Sequence, residues 1–254
     1  MDGNTDILTL MMGRPDVFTD EVIIDELLGF FGAATETTHN VTKTILTYLC
    51  KKPESLYKIR GEFDEMFAQQ CKQDSTLSSQ SKAEQMKKLV TVDNCFDLDF
   101  LNLVICEGLR FQGPGGVSPI VFKQDVTLAN KLKIKKGDRV RVLNWALHKH
   151  SGEWQRPHEF LPERFDPESS LYLTPSGKKR NSASWVPFSG GKRICFGKTF
   201  AESNLKIILT YFTQYFDFEY VDKSLCEGDK YPVAVMFQSK NPPLMLQLTD
   251  PTRK

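Results

Sequence analysis

Apolar residues recur at helical spacing through the first fifth of the chain: Ile23, Ile24, Leu27, Leu28, Phe31 and Ala34, then Val41, Ile45 and Leu49. Steps of three and four residues place such positions on one stripe of a helix. Thr19 or Asp20 supplies an N-cap, and acidic residues follow in the first turn. Read as one element over 21–48, roughly 28 residues, the helix spans about 42 Å, long for a globular protein. Pro53 opens a second, charged helical segment over 54–70. The Ser- and Gln-rich stretch 73–81 reads as a flexible insertion. Further helices are predicted over 98–111 and 198–218, with short strands at 117–122, 126–128 and 139–143 separated by Gly and Lys turns. The polar stretch 175–184 predicts disorder, and 231–237 with 244–248 predicts a terminal pair of strands. No period repeats. The expectation is one domain over residues 1–254, mainly α with small β-sheets, in the α+β class.

Composition narrows the function without naming it. A chain of 254 residues with 40% hydrophobic content can bury one sizeable core. A net charge of +1 gives no whole-chain case for nucleic-acid binding. Six scattered cysteines with no C-x-x-C pair and no secretory leader read as reduced thiols in an intracellular compartment. No run approaches the roughly 20 apolar residues needed to cross a bilayer.

The chemistry concentrates in Phe188-Ser-Gly-Gly-Lys-Arg-Ile-Cys-Phe-Gly197, where one cysteine lies in a glycine-rich, arginine-bearing loop just before a helical pattern. Backbone N–H groups at a helix start and a nearby guanidinium favour a thiolate. Phosphate binding is one reading, since Gly197-Lys198-Thr199 ends like a P-loop. The glycine that motif needs four intervening residues earlier is replaced by Lys192. A nucleophilic cysteine is a second reading, but His39, His148, His150 and His158 stand in no recognisable cysteine-protease context. A metal or cofactor ligand is the third. A lone thiolate cannot close a zinc site, whereas it suffices as an axial haem ligand because the porphyrin supplies four donors.

Phe188, Gly191, Arg193, Cys195 and Gly197 match the F-x-x-G-x-R-x-C-x-G signature, and the chain is similar to the cytochrome P-450 haem-thiolate monooxygenases. Glu107-Gly-Leu-Arg110 resembles the family's E-x-x-R pair, and Phe160-Leu-Pro-Glu-Arg-Phe165 its P-E-R-F segment. The resemblance implies that Glu107, Arg110 and Arg164 form a buried structural network under the haem. Gly32-Ala-Ala-Thr-Glu-Thr-Thr38 resembles the dioxygen-binding motif of the long central helix. Side-chain hydroxyls there that bond back to the previous turn would open and bend the helix locally. By the same resemblance Thr37 donates a hydrogen bond to the oxygen ligand and Glu36 relays protons from solvent.

Three positions depart from the family pattern. Ala34 stands where glycine is usual, Ile120 where many relatives carry a propionate-pairing arginine, and His148-Lys-His-Ser151 replaces His-Arg-Asp-Pro. Arg193 is left as the clearest propionate partner. The resemblance covers the C-terminal half of a typical microsomal member, so the central helix is expected to expose an apolar flank. It implies haem b held by the Cys195 thiolate, a lipophilic substrate, and electrons from NADPH through a separate reductase. A flavoprotein reductase or a ferredoxin would dock near Lys178, Lys179, Lys192 and Lys198, with no nucleic-acid partner. A membrane enters only through a missing N-terminal anchor, which in the full-length protein would tether it to the endoplasmic reticulum. The alternatives are a non-catalytic haem-binding or interaction remnant and, less well matched because the acid–alcohol pair is kept, a peroxide-rearranging member.

Overall fold

A computed structural model of the chain describes residues 6–115, 117–221 and 244–248. The first helix, α1 (Ile7–Met12), is capped by Asp6, which accepts from the Thr9 N–H at 2.7 Å. Thr19 then caps α2 (Asp20–Lys51) by accepting from the Val22 N–H at 3.4 Å. At 32 residues α2 is about 48 Å long, longer than the 21–48 expectation at both ends. Its two halves live in different environments. From Thr38 to Leu49 most side chains are buried, with Val41, Ile45 and Leu49 in the main core, whereas Ile24, Leu28 and Phe31 on the first half are 57%, 66% and 73% exposed. That is the expected apolar flank.

Pro53 occupies the first turn of α3 (Pro53–Gln73), where its missing N–H has no partner to lose. Residues 73–81 are ordered, contrary to the reading of a flexible insertion. Leu77, in a short 3-10 turn, is buried in a second apolar cluster, and the Gln85 amide donates to the Leu77 and Gln80 carbonyls at 3.1 and 2.9 Å. Ser81 and Glu84 form a capping box that starts α4 (Lys82–Leu89), followed by α5 (Val92–Phe96) under a Thr91 cap. Neither short helix was anticipated, because five to eight residues show too few apolar positions for a period.

The sixth helix, α6 (Asp99–Gln112), has no side-chain cap of its own. Glu62 of α3 serves instead, accepting from the Phe100 and Leu101 N–H groups at 2.5 and 3.1 Å. Burial pushes that carboxyl above its ordinary value, while the two N–H groups pull the other way. Leu101, Val104 and Ile105 pack with α2. The approach is close at Gly108, where an added Cβ would come within 2.6 Å of Ile45 Cγ1. Only glycine admits this crossing, since neither backbone nor a branched core side chain yields that much space.

Strands β1 (Val117–Val121), β2 (Val126–Thr127), β3 (Lys133–Ile134) and β4 (Arg139–Leu143) make two antiparallel pairs, β1 with β4 and β2 with β3. A short helix, α7 (Asn144–Leu147), leads into a loop-rich stretch that includes the 3-10 turn Pro162–Phe165. The stretch 175–184, read as disordered, is instead a hydrogen-bonded turn. The Thr174 N–H donates to the Lys178 carbonyl at 2.8 Å and the Lys178 N–H to the Thr174 hydroxyl at 3.0 Å. Arg180 donates to the Leu171 and Arg164 carbonyls at 3.0 and 2.5 Å, and Glu153 accepts from the Asn181 N–H at 2.8 Å.

The last helix, α8 (Lys198–Tyr215), stops three residues short of the 218 expectation. Arg60 ends it by donating to the Thr213 and Phe216 carbonyls at 2.7 and 2.9 Å. Phe216 then begins β5 (Phe216–Tyr220), whose antiparallel partner is β6 (Leu244–Leu248). The 231–237 strand expectation lies outside the described residues. No helix among them is long and apolar enough to cross a membrane.

Candidate functional site

The cysteine loop is held at its two ends and open between them. Phe188 packs against the main core, and its carbonyl accepts from the Cys195 N–H at 2.9 Å. Ser189 and Gly191 take positive φ angles of 63° and 68°, which turn the chain tightly into the 3-10 turn Gly191–Arg193. The Lys198 N–H reaches back to the Cys195 carbonyl at 3.4 Å as α8 begins. Every residue from Gly190 to Phe196 is exposed, Phe196 at 81%. Cys195 is a free thiol, and a Cβ added at Gly190, Gly191 or Gly197 would meet nothing within 4 Å. Arg193 has neither hydrogen bond nor ion pair among the described residues. Phe196 stacks on Phe30 of α2 with centroids 5.7 Å apart, so the loop and the exposed half of that helix meet along one edge.

This surface has the chemistry of a cradle for a flat, apolar group with an anionic rim. It offers a soft sulfur donor, open glycines, the exposed Ile194, Phe196 and Phe200, and an unpartnered guanidinium. No three or more His, Cys, Asp or Glu side chains converge as a metal site among the described residues. A lone cysteine thiolate suffices as a metal ligand where a cofactor supplies the remaining donors.

On α2, Thr37 Oγ1 donates to the Ala33 carbonyl at 2.7 Å, and the same back-bond recurs from Thr42 to Thr38 and from Thr44 to Asn40. The expected local opening is absent. The helix stays α from Asp20 to Lys51, because a carbonyl has two lone pairs and can accept a hydroxyl without releasing its helical N–H. Glu36 is exposed, and its Oε1 accepts from the Asn40 side chain at 3.2 Å.

Glu107, Arg110 and Arg164 come together in the interior, with side chains 0% exposed. Arg110 grips the carboxylate with Nε and Nη2 at 2.7 and 2.8 Å, Arg164 Nε reaches Oε1 at 3.0 Å, and the Leu161 N–H adds a bond of 2.7 Å. Arg110 places its other donors on the carbonyls of His148, Pro157 and Glu159, so all five N–H groups are used. Arg164 reaches the carbonyls of Gln155, Arg156 and Glu159. Burial lowers the Arg164 pKa while Glu107 opposes it, and the guanidinium remains charged. Such saturation is what lets ions persist without water.

Four supporting residues escaped the sequence reading. Trp154 is buried with its ring 4.5 to 6.0 Å from the guanidinium carbons of Arg180, Arg110 and Arg164. Gly108 sets the helix crossing, and Arg180 donates to the Arg164 carbonyl. His148 is 3% exposed, and its Nε2 accepts from the Val186 N–H at 3.0 Å. Burial, with Arg110 adding to it, pushes this imidazole down to about 4, so it is neutral. A single histidine or tryptophan carries no period, so no sequence signal could assign these contacts. Lys178, Lys179 and Lys192 are exposed and Lys198 is half-buried.

The chain thus presents an exposed thiol on a glycine loop that stacks against a long helix, and a saturated carboxylate–guanidinium cluster in its interior. The cytochrome P450 family model matches residues 2–247, and the chain belongs to that family. It is 32% identical over 234 residues to steroid 17-alpha-hydroxylase/17,20 lyase of Rattus norvegicus, covering 89% of this chain and 41% of that protein. It is 30% identical over 223 residues to cytochrome P450 3A2 of Rattus norvegicus, covering 84% and 39%. To the Homo sapiens steroid 17-alpha-hydroxylase/17,20 lyase it is 28% identical over 211 residues, covering 82% and 36%. The chain thus spans about two fifths of the length of these relatives.

Proposed function

We propose that this chain carries the haem-thiolate part of a monooxygenase that inserts one oxygen atom from dioxygen into a lipophilic substrate. The observation that carries the reading is the exposed, unpaired Cys195 thiol on its open glycine loop, stacked through Phe196 against α2. Cys195 would hold haem b through its sulfur, and Arg193 would pair with a propionate. Phe188, Gly191 and Gly197 shape the loop that presents the sulfur. The haem, when bound, supplies the electron and dioxygen chemistry. Thr37 Oγ1 keeps a proton against the Ala33 carbonyl and can turn it toward a ligand. Glu36, solvent-facing and steadied by Asn40, exchanges protons with bulk water. Glu107, Arg110 and Arg164 have a structural role. NADPH-derived electrons would come from a flavoprotein reductase or a ferredoxin docking near the exposed lysines. The relatives named for steroid hydroxylation make a steroid the first substrate class to test. An endoplasmic-reticulum location belongs to the full-length protein in this reading.

A second reading, a haem-binding remnant without turnover, draws on the bare apolar flank of α2, where a substrate pocket would need a covering wall. The deciding experiment is the carbon-monoxide difference spectrum of the reduced, haem-supplemented chain. A strongly red-shifted Soret band that disappears in Cys195→Ala is expected, and no such band overturns both readings. If the band is present, product formation with a reductase, and its uncoupling by Thr37→Ala, separates the two.

A further inference from the structure

We propose that His148 is a positioning residue: its Nε2 anchors the backbone entering the Cys195 loop to the Arg110–Glu107–Arg164 cluster. One residue links the two regions in successive bonds. Arg110 Nη1 donates to the His148 carbonyl at 2.8 Å, and His148 Nε2 accepts from the Val186 N–H at 3.0 Å. From there the bonding continues into the loop, since the Val186 carbonyl accepts from the Ser189 N–H at 3.0 Å and the Phe188 carbonyl from the Cys195 N–H at 2.9 Å.

The need for such an anchor follows from exposure. Residues 190–196 are all exposed, so apart from the Phe196–Phe30 stack packing contributes little, and the loop's position depends chiefly on its two ends. One end runs into α8. The other is held by Phe188 against the core and, two residues earlier, by the His148 bond. The imidazole is well suited to accept, because burial beside Arg110 keeps it unprotonated down to about pH 4. Removing the acceptor would leave the half-buried Val186 N–H without its bond, and an unmade bond costs more the less water can reach the donor.

The purpose of the anchor rests on the haem-thiolate reading, but its test does not. Amide hydrogen exchange is measured on the full chain without cofactor for wild type, His148→Phe, His148→Gln and, as a control, Met86→Ala in the separate cluster around Leu77 and Leu89. Expected is exchange about tenfold or more faster at Val186 and across 188–197 in His148→Phe than in Met86→Ala. His148→Gln, whose side-chain carbonyl can accept at the same reach, should return most of the protection. Equal loop exchange in His148→Phe and Met86→Ala, or no rescue by glutamine, overturns the proposal. If His148→Phe does not fold, the wild type decides: a Val186 amide exchanging at the rate of the open loop, not of α6, overturns it. In the haem-loaded chain the red-shifted carbonyl fraction should fall in His148→Phe and recover in His148→Gln. The exchange pattern without any such band would refute the haem reading and leave the anchor supported.

Discussion

Glu107 and Cys195 lie at opposite extremes of solvation. The carboxylate is fully buried, accepts bonds from two guanidiniums and a backbone N–H, and faces cations that are themselves satisfied. The thiol is exposed on a loop in which seven consecutive residues, Gly190 to Phe196, are exposed as well. The first region completes itself from within this chain. The second is a set of donors and apolar faces that bury little until another group covers them. Stability should therefore reside in the first region and ligand response in the second.

The sharpest way to break the comparison is Glu107→Ala, which strands two buried guanidiniums. A loss of about 3–5 kcal/mol is expected, read by urea or thermal denaturation. Acid comes next. His148 is held near 4 against an ordinary 6.5, so between those values the unfolded chain binds the proton that the folded chain refuses. Its share of stability is complete above about pH 6.5 and falls as pH drops toward 4, by up to about 3 kcal/mol. Denaturation midpoints across that range should show this slope, and it should flatten in His148→Gln. Arg164→Lys keeps the charge but loses the planar fork that reaches three carbonyls, and about 2–3 kcal/mol should go with it. In the open region Cys195→Ala should change cofactor-free stability by less than about 0.5 kcal/mol, while abolishing the red-shifted carbonyl band. Smallest in stability is Phe31→Ser, also within about 0.5 kcal/mol, but it should lower dye binding and light scattering by removing an exposed aromatic. If Cys195→Ala destabilised the chain as much as Arg164→Lys, the division between the regions would fail.

Much of the fold was legible wherever a period had room to repeat. The stripe from Ile23 to Leu49 announced α2, and the runs near 98–111 and 198–218 announced α6 and α8 to within a few residues. Errors fell where a distant partner rules. Arg60 ends α8 at Tyr215, and buried Leu77 orders a stretch that its composition called flexible. For the candidate site, the motif spacings placed Glu107 one helical turn from Arg110 and put Cys195 among glycines. They could not say that Trp154 underlies the guanidiniums or that His148 reaches Val186.

By itself the sequence determined the family, the long helix, the glycine loop and the residue types that can ligate, pair or carry protons. These are properties of local spacing, and local spacing is written in the chain. Only the tertiary structure decided which groups are dry. Arg110, Arg164 and the Leu161 N–H close around a fully buried Glu107, whereas Cys195 is exposed on its loop. Burial is a sum over residues far apart in sequence, and a short-range pattern cannot record it.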